Sequence, residues 1–155
     1  MKYKLGNIEL SISENVIAIF SSYKQDTKSK NESGGVLFGQ TQESNYHLVR
    51  ASTPNSFDKA GRFWFERNKN AAQILINFEF INSIRKNAYV GEWHTHPEEN
   101  PSPSDQDRKM IKEQFVKNTG FGSFLFLIIQ GTKSLYVAVY NGKELTEMDE
   151  IQEEV

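Results

Sequence analysis

Two histidines with one residue between them, His94 and His96, an acid past ten intervening residues, Asp107, and a distant glutamate ahead of a glycine pair, Glu32, are the side chains best suited to chemistry. Side chains of an extended segment alternate between faces with a period of two, so His94 and His96 at a strand end point the same way and can share one ion. Asp107 would lie on the first turn of a helix, returned to the strand end by a loop stiffened by Pro97, Pro101 and Pro103. Two imidazoles and a carboxylate with one open position make up the composition of a catalytic zinc site. Zinc in such a site lowers the pKa of water to about 7, which supplies hydroxide at neutral pH. Glu32 stands just before Gly34-Gly35, where a missing Cβ permits close backbone approach. It is the candidate general acid/base, taking a proton from water and returning it to a leaving amine, while Ser104 would donate a hydrogen bond to the oxyanion formed between.

Each of these residues also has a plain structural reading. A bare His-x-His pair is more often hydrogen-bonded framework than a ligand set. Ser104 and Asp107, three apart, fit a helix capping box that needs no metal. Glu32 on its own reads as a solvated loop acid. Glu92, Glu98 and Glu99 lie near the histidines, and Glu92 shares their strand parity, which suits a supporting or structural role. His47 reads as an ordinary half-exposed strand residue and Trp93 as core packing. Arg62-Phe63-Trp64-Phe65 suits a groove for an extended peptide and a half-buried strand equally well.

The elements that must position these residues follow from hydrophobic periodicity. Ile8, Leu10 and Ile12 alternate as a strand, and Ser13 then can cap a helix with Val16, Ile17, Phe20 and Tyr23 on one face. After the polar stretch Lys24 to Ser33, residues Gly34 to Gly39 read as a short buried strand with Tyr46 to Ser52 as its hairpin partner. Phe63-Trp64-Phe65 adds a strand. Ala71, Ile74, Leu75, Phe78 and Ile81 recur at helical spacing from about Asn70 to Lys86, the clearest helical period in the chain. Ala88 to His94 is a strand that the prolines end, Ser104 opens a helix to about Asn118, and Phe124 to Ile129 and Leu135 to Tyr140 are two apolar strands. The order is strand, helix, three strands, helix, strand, helix, strands: one α/β domain over residues 1–155.

Composition narrows the partners. Eighteen Lys and Arg against twenty Asp and Glu leave no basic field to hold nucleic acid. With no cysteine, any metal must be held by His, Asp or Glu. No apolar run of membrane-spanning length and no signal-peptide core are visible, so a cytoplasmic protein with no membrane role is expected.

Glu32-Ser33-Gly34-Gly35-Val36-Leu37-Phe38-Gly39, with His94-Thr95-His96-Pro97, six further residues and Ser104-x-x-Asp107, resembles the motif of the JAMM (JAB/MPN-type) zinc metalloproteases at every position. The resemblance implies a mixed sheet between helices, one Zn2+ per chain held by His94, His96 and Asp107, and Glu32 and Ser104 as catalytic residues. Tyr89 to Pro97 with Pro101-Ser102-Pro103-Ser104 is more narrowly similar to stand-alone bacterial JAB proteins of integrative elements and CBASS antiphage systems. That likeness implies an isopeptidase acting on a protein with an extended C-terminal tail, a ubiquitin-like protein or a cGAS-like nucleotidyltransferase conjugate. Two other readings keep the fold: a non-catalytic protein-binding scaffold, and a peptidase releasing a sulfur-carrier protein.

Overall fold

The computed structural model describes residues 1–118 and 124–154. The elements run β1 (Lys2–Leu5), β2 (Ile8–Ile12), α1 (Glu14–Ser22), β3 (Gly34–Gln42), β4 (Asn45–Ala51), β5 (Lys59–Gly61), β6 (Trp64–Glu66), α2 (Lys69–Asn82), β7 (Ala88–Thr95), α3 (Asp105–Lys117), β8 (Leu125–Gln130), β9 (Leu135–Tyr140), β10 (Leu145–Glu147) and β11 (Asp149–Ile151). Nine strands form one mixed sheet in the order β10-β9-β8-β7-β3-β4-β2-β1-β11, and β5 and β6 form a separate hairpin.

The centre of the sheet is β3, antiparallel to both β4 and β7, while β7 and β8 run parallel with α3 as the crossover. Parallel strands covered on both faces read as continuous apolar runs, and β8, Leu-Phe-Leu-Ile-Ile-Gln, is buried throughout. One face packs Leu10, Phe20, Leu37, Leu48, Trp93, Phe126 and Ile128 around α1. The other packs Val36, Phe38, Tyr89, Leu127 and Ile129 against Ala72 of α2 and Ile111 of α3. This is the α/β sandwich the sequence leads one to expect. Trp93 lies in the first core against Phe20 and Tyr23, its indole N–H donating to the Ser52 carbonyl at 2.8 Å.

Three features depart from the sequence reading. The first is at the sheet edges, where β1, β10 and β11 are added. β10 pairs with β9 at one edge and β11 with β1 at the other, with only Met148 between them, and Met148 N–H bonds to the Val137 carbonyl at 2.8 Å. A chain spans at most about 3.6 Å per residue, so the two edges curl close together and one C-terminal segment covers both. The second is β5, which turns the Phe63-Trp64-Phe65 region into a hairpin whose second strand is Trp64–Glu66.

The third is α2. An amphipathic helix normally turns its apolar stripe to the core. Here Ala72 and Glu79 face inward instead, and Ile74, Leu75, Phe78 and Ile81 face solvent. Polar pairing sets this rotation: buried Glu79 meets Arg50 of β4 at 3.4 Å and accepts from the Asn87 side chain at 2.8 Å. The helix starts where expected, with Asn68 accepting the Ala71 N–H at 2.9 Å, but stops at Asn82 because Ile84 and Arg85 turn back with φ of 57° and 63°. Ser13 holds the N-cap of α1 through its carbonyl, which accepts from Val16 and Ile17, and its hydroxyl makes no capping bond.

Candidate active site

His94 is the penultimate residue of β7, and its neighbour across the ladder is Gly34 at the start of β3. A Cβ at Gly34 would come within 2.6 Å of the Trp93 carbonyl and 2.7 Å of the Phe65 ring, so glycine is required where hairpin and sheet meet. Thr95 ties the strand end to the segment before β3: its N–H donates to the Ser33 carbonyl at 2.9 Å and its hydroxyl oxygen accepts the Ser33 N–H at 3.0 Å. Glu32 is thereby held beside the histidines, with its own N–H on the Gly61 carbonyl of β5 at 2.8 Å.

Past the strand end, His96 is positioned by its N–H on the Gln130 carbonyl of β8 at 3.0 Å. The proline loop is pinned through the carbonyls of Glu98 and Glu99, which accept from Thr132, Lys133 and Ser134. That loop delivers α3. Ser104 and Asp107 form a reciprocal capping box, the Ser104 hydroxyl oxygen accepting the Asp107 N–H at 3.1 Å and Asp107 Oδ2 accepting the Ser104 N–H at 2.9 Å. The box also aims the aspartate. Asp107 Oδ1 lies 3.1 Å from His94 Nε2, and Oδ2 lies 3.1 Å from His96 Nε2.

All five candidate residues therefore meet at one place. The two Nε2 atoms are 3.1 Å apart, and Glu32 Oε1 is 3.8 Å from His96 Nε2. Two groupings can be drawn. Glu32, His94 and His96 have donor atoms within 4.8 Å of one another and are all buried. Asp107 has an oxygen 3.1 Å from each imidazole Nε2, whereas Glu32 lies farther off, 3.8 Å from His96 Nε2.

Burial pushes the Glu32 carboxyl up to about 8; His96 pulls against this, and the charges of Asp107 and Glu98 add to it. For Asp107 burial is also the largest influence and also upward, but hydrogen bonds from His94 and His96 outweigh it and hold the group well below the usual carboxylate range. Burial disfavours charge on His96, yet the bond and charge of Asp107 prevail and its pKa is raised. His96 Nδ1 lies 3.0 Å from Glu98 Oε1 and Nε2 lies 3.1 Å from Asp107 Oδ2, so each ring nitrogen faces a carboxylate; with Nδ1–H donating to Glu98, Nε2 would be the nitrogen left to bind a cation. Two imidazole nitrogens, the two oxygens of one carboxylate and a second carboxylate alongside make a donor set that fits a divalent cation.

A groove of about 330 Å³ leads to this point, walled by Phe63, Trp64 and Phe65 of the hairpin and by Gln106 and Met110 of α3. Its inner end reaches Arg67 and Glu92. Arg67 holds Glu92 through Nε at 2.9 Å and a terminal nitrogen at 2.7 Å, and Tyr89 donates to the same carboxylate at 2.9 Å. A larger cavity, about 650 Å³ between β1, α1 and β9, is lined by no histidine and lies apart from this chemistry.

Residues 15–149 match the model of the family described as prokaryotic homologs of the JAB domain. The chain belongs to that family. Its JAB domain is 30% identical to a CD-NTase/cGAS isopeptidase of Pseudomonas aeruginosa, over 86% of this chain and 84% of the relative. Proteins of the same name from Vibrio cholerae and Escherichia coli are 30% and 31% identical over 88% and 81% of this chain, and 85% and 78% of their own lengths. The solution structure of protein DSY2949 from Desulfitobacterium hafniense matches the JAB fold at a TM-score of 0.65 and 15% identity, covering 94% of both chains.

Several side chains of the JAB site escape the sequence reading. Gln25, buried in the loop after α1, and Arg67, which neutralises Glu92, carry no motif and lie far from their partners in the chain. Glu98 was noticeable only as an acid near His96; its bond to Nδ1 is what matters. Arg62 does not line the groove; it lies over the Phe63 ring and donates to the Thr27 carbonyl at 3.2 Å.

Proposed function

We propose that this JAB domain is a zinc-dependent isopeptidase that hydrolyses the amide bond joining the C-terminus of a cGAS-like nucleotidyltransferase to its conjugation partner, as part of an antiphage system. The observation that carries the reading is the placement of one aspartate oxygen 3.1 Å from each inward Nε2, with Glu32 buried alongside. The substrate comes from the relatives' shared name, CD-NTase/cGAS isopeptidase.

In this reading His94, His96 and Asp107 hold one zinc. When bound, zinc acts as a Lewis acid on the scissile carbonyl and lowers the pKa of water. Glu32 takes a proton from the attacking water and returns it to the leaving nitrogen, from a buried position 3.8 Å from His96 Nε2. The Ser104 oxygen is committed to the Asp107 N–H, which leaves the hydroxyl proton free for the substrate oxygen. Glu98 fixes the His96 tautomer. The tail lies in the groove as an extended strand beside β6, which among the described strands pairs only with β5.

The test uses zinc-loaded protein and a nucleotidyltransferase carrying a fluorescent protein fused after its C-terminus. The wild type should bind about one zinc and release the fusion partner, while Glu32→Gln should keep the zinc and lose on the order of 10² to 10⁴ in turnover. A protein that takes up no metal, or a Glu32→Gln variant of full activity, overturns the proposal.

A further inference from the structure

The outward face of α2 has no counterpart in the site chemistry. Ile74 is 68% exposed, Phe78 61% and Ile81 74%, with Leu75 beside them and Ile84 at 82% just past the helix end. Side chains of this size and exposure present on the order of 600 Å² of contiguous apolar surface, the upper end of what monomers show, where such patches mark an interaction site. The turn after the helix adds a second sign. Ile84 is β-branched, sits at φ 57° and is followed by Arg85 at 63°. Branched residues strongly avoid this region, so the backbone is strained to hold an isoleucine in solvent.

We propose that this face is the two-fold contact of a homodimer, α2 packing antiparallel on α2 of a second copy. Three observations select a second copy over another occupant. Ile74, Phe78 and Ile81 are spaced four and three apart, the seam by which two like helices interlock, and an isologous contact requires one such self-complementary patch. Pairing two copies would bury about 1,200 Å², which reaches the range of specific interfaces. Between Lys69 and Arg85 the only charged residue is Glu79, which is buried and already paired with Arg50, so the stripe itself brings no charge into the contact and Lys69 and Arg85 stand only at its ends. A charged partner would find nothing there to pair with. In an antiparallel arrangement Phe78, near the middle of the stripe, meets Phe78 of the other copy.

Sedimentation of the full chain tests this without any assay of activity. At about 100 μM the wild type should sediment at twice the chain mass, and Phe78→Glu and Phe78→Lys should each be monomeric with unchanged circular dichroism. Mixed in equal amounts, the two variants should associate again, since opposite charges then face across the dyad. Ile81→Lys gives a second disruption should Phe78 variants fold poorly. A wild type that stays monomeric, one that is monomeric but co-sediments with anionic lipid vesicles, or a dimer that survives both Phe78→Glu and Ile81→Lys overturns the proposal.

Discussion

The hydroxyl of Thr95, the residue between the two histidines, donates a hydrogen bond of 2.9 Å to the side-chain oxygen of Gln25, 70 residues earlier in the chain. The other end of Gln25 donates to the carbonyls of Lys30 at 3.2 Å and Arg62 at 2.8 Å. One buried amide thus joins the histidine strand, the loop that carries Glu32 and the hairpin that walls the groove.

Gln25→Leu keeps the volume and removes all three bonds. Each buried polar group left unpaired costs roughly 1–3 kcal/mol, so the variant should be destabilised. Its turnover should fall by about tenfold or more with KM and zinc content little changed, because Glu32 loses its placement and the ligands do not. Steady-state kinetics beside metal analysis checks this; a fall in zinc content alone would assign Gln25 to the ligands instead.

The Arg67 and Glu92 pair is buried at the inner end of the groove. Arg67→Met should destabilise by about 3–5 kcal/mol, since it strands a buried carboxylate whose remaining hydrogen bond among the described residues is from Tyr89. Adding Glu92→Leu to that variant should recover much of the loss. Denaturant melts of the two single variants and the double variant decide it, and strict additivity would contradict the pairing.

Asp107 caps α3 and is also the proposed third metal ligand, and two substitutions separate these roles. Ser104→Ala removes the acceptor of the Asp107 N–H and should cost about 1 kcal/mol of stability. Asp107→Asn can still accept the Ser104 N–H but removes the charge lying between the imidazoles. It should therefore melt within about 1 kcal/mol of the metal-free wild type while zinc affinity drops at least about tenfold. Equal zinc affinity in the wild type and Asp107→Asn would remove Asp107 from the ligand set.

Tyr3 gives a pH prediction away from the site. Burial, with a smaller contribution from Glu150 opposite it in the β1–β11 ladder, pushes its phenol up to about 12. The unfolded chain ionises near 10, so the stability Tyr3 contributes is full below pH 10 and is lost as pH rises through 12. Alkaline unfolding curves should flatten in Tyr3→Phe between pH 10 and 12; identical slopes would show that Tyr3 is not the group responsible.

How much of this was legible depends on whether a local rule was enough. Strand alternation puts His94 and His96 on one side, and the cap spacing of Ser104 and Asp107 sets the aspartate on a first helical turn; both are properties of a few consecutive residues. β7, β8 and β9 are apolar runs that the sequence places to within a residue, whereas β3 continues three polar residues past the expected Gly39, to Gln42. The charged edge strands β1, β10 and β11 were not, because their stability comes from ladders with strands distant in sequence.

Tertiary structure decided the rest. The register of β3 on β7 shifts between Leu37 and Phe38, which leaves Tyr89 and Glu92, three apart, bonded on one face where simple alternation would separate them. The period of α2 announced a helix with an apolar stripe, but not which way the stripe would turn; burying the paired Glu79 turned it outward. The sequence by itself determined the local geometry of the chemical groups and the family of folds that could hold them. Only the folded chain could bring Glu32, Gln25 and Arg67 to the histidines, because those contacts join segments whose separation no short-range periodicity records.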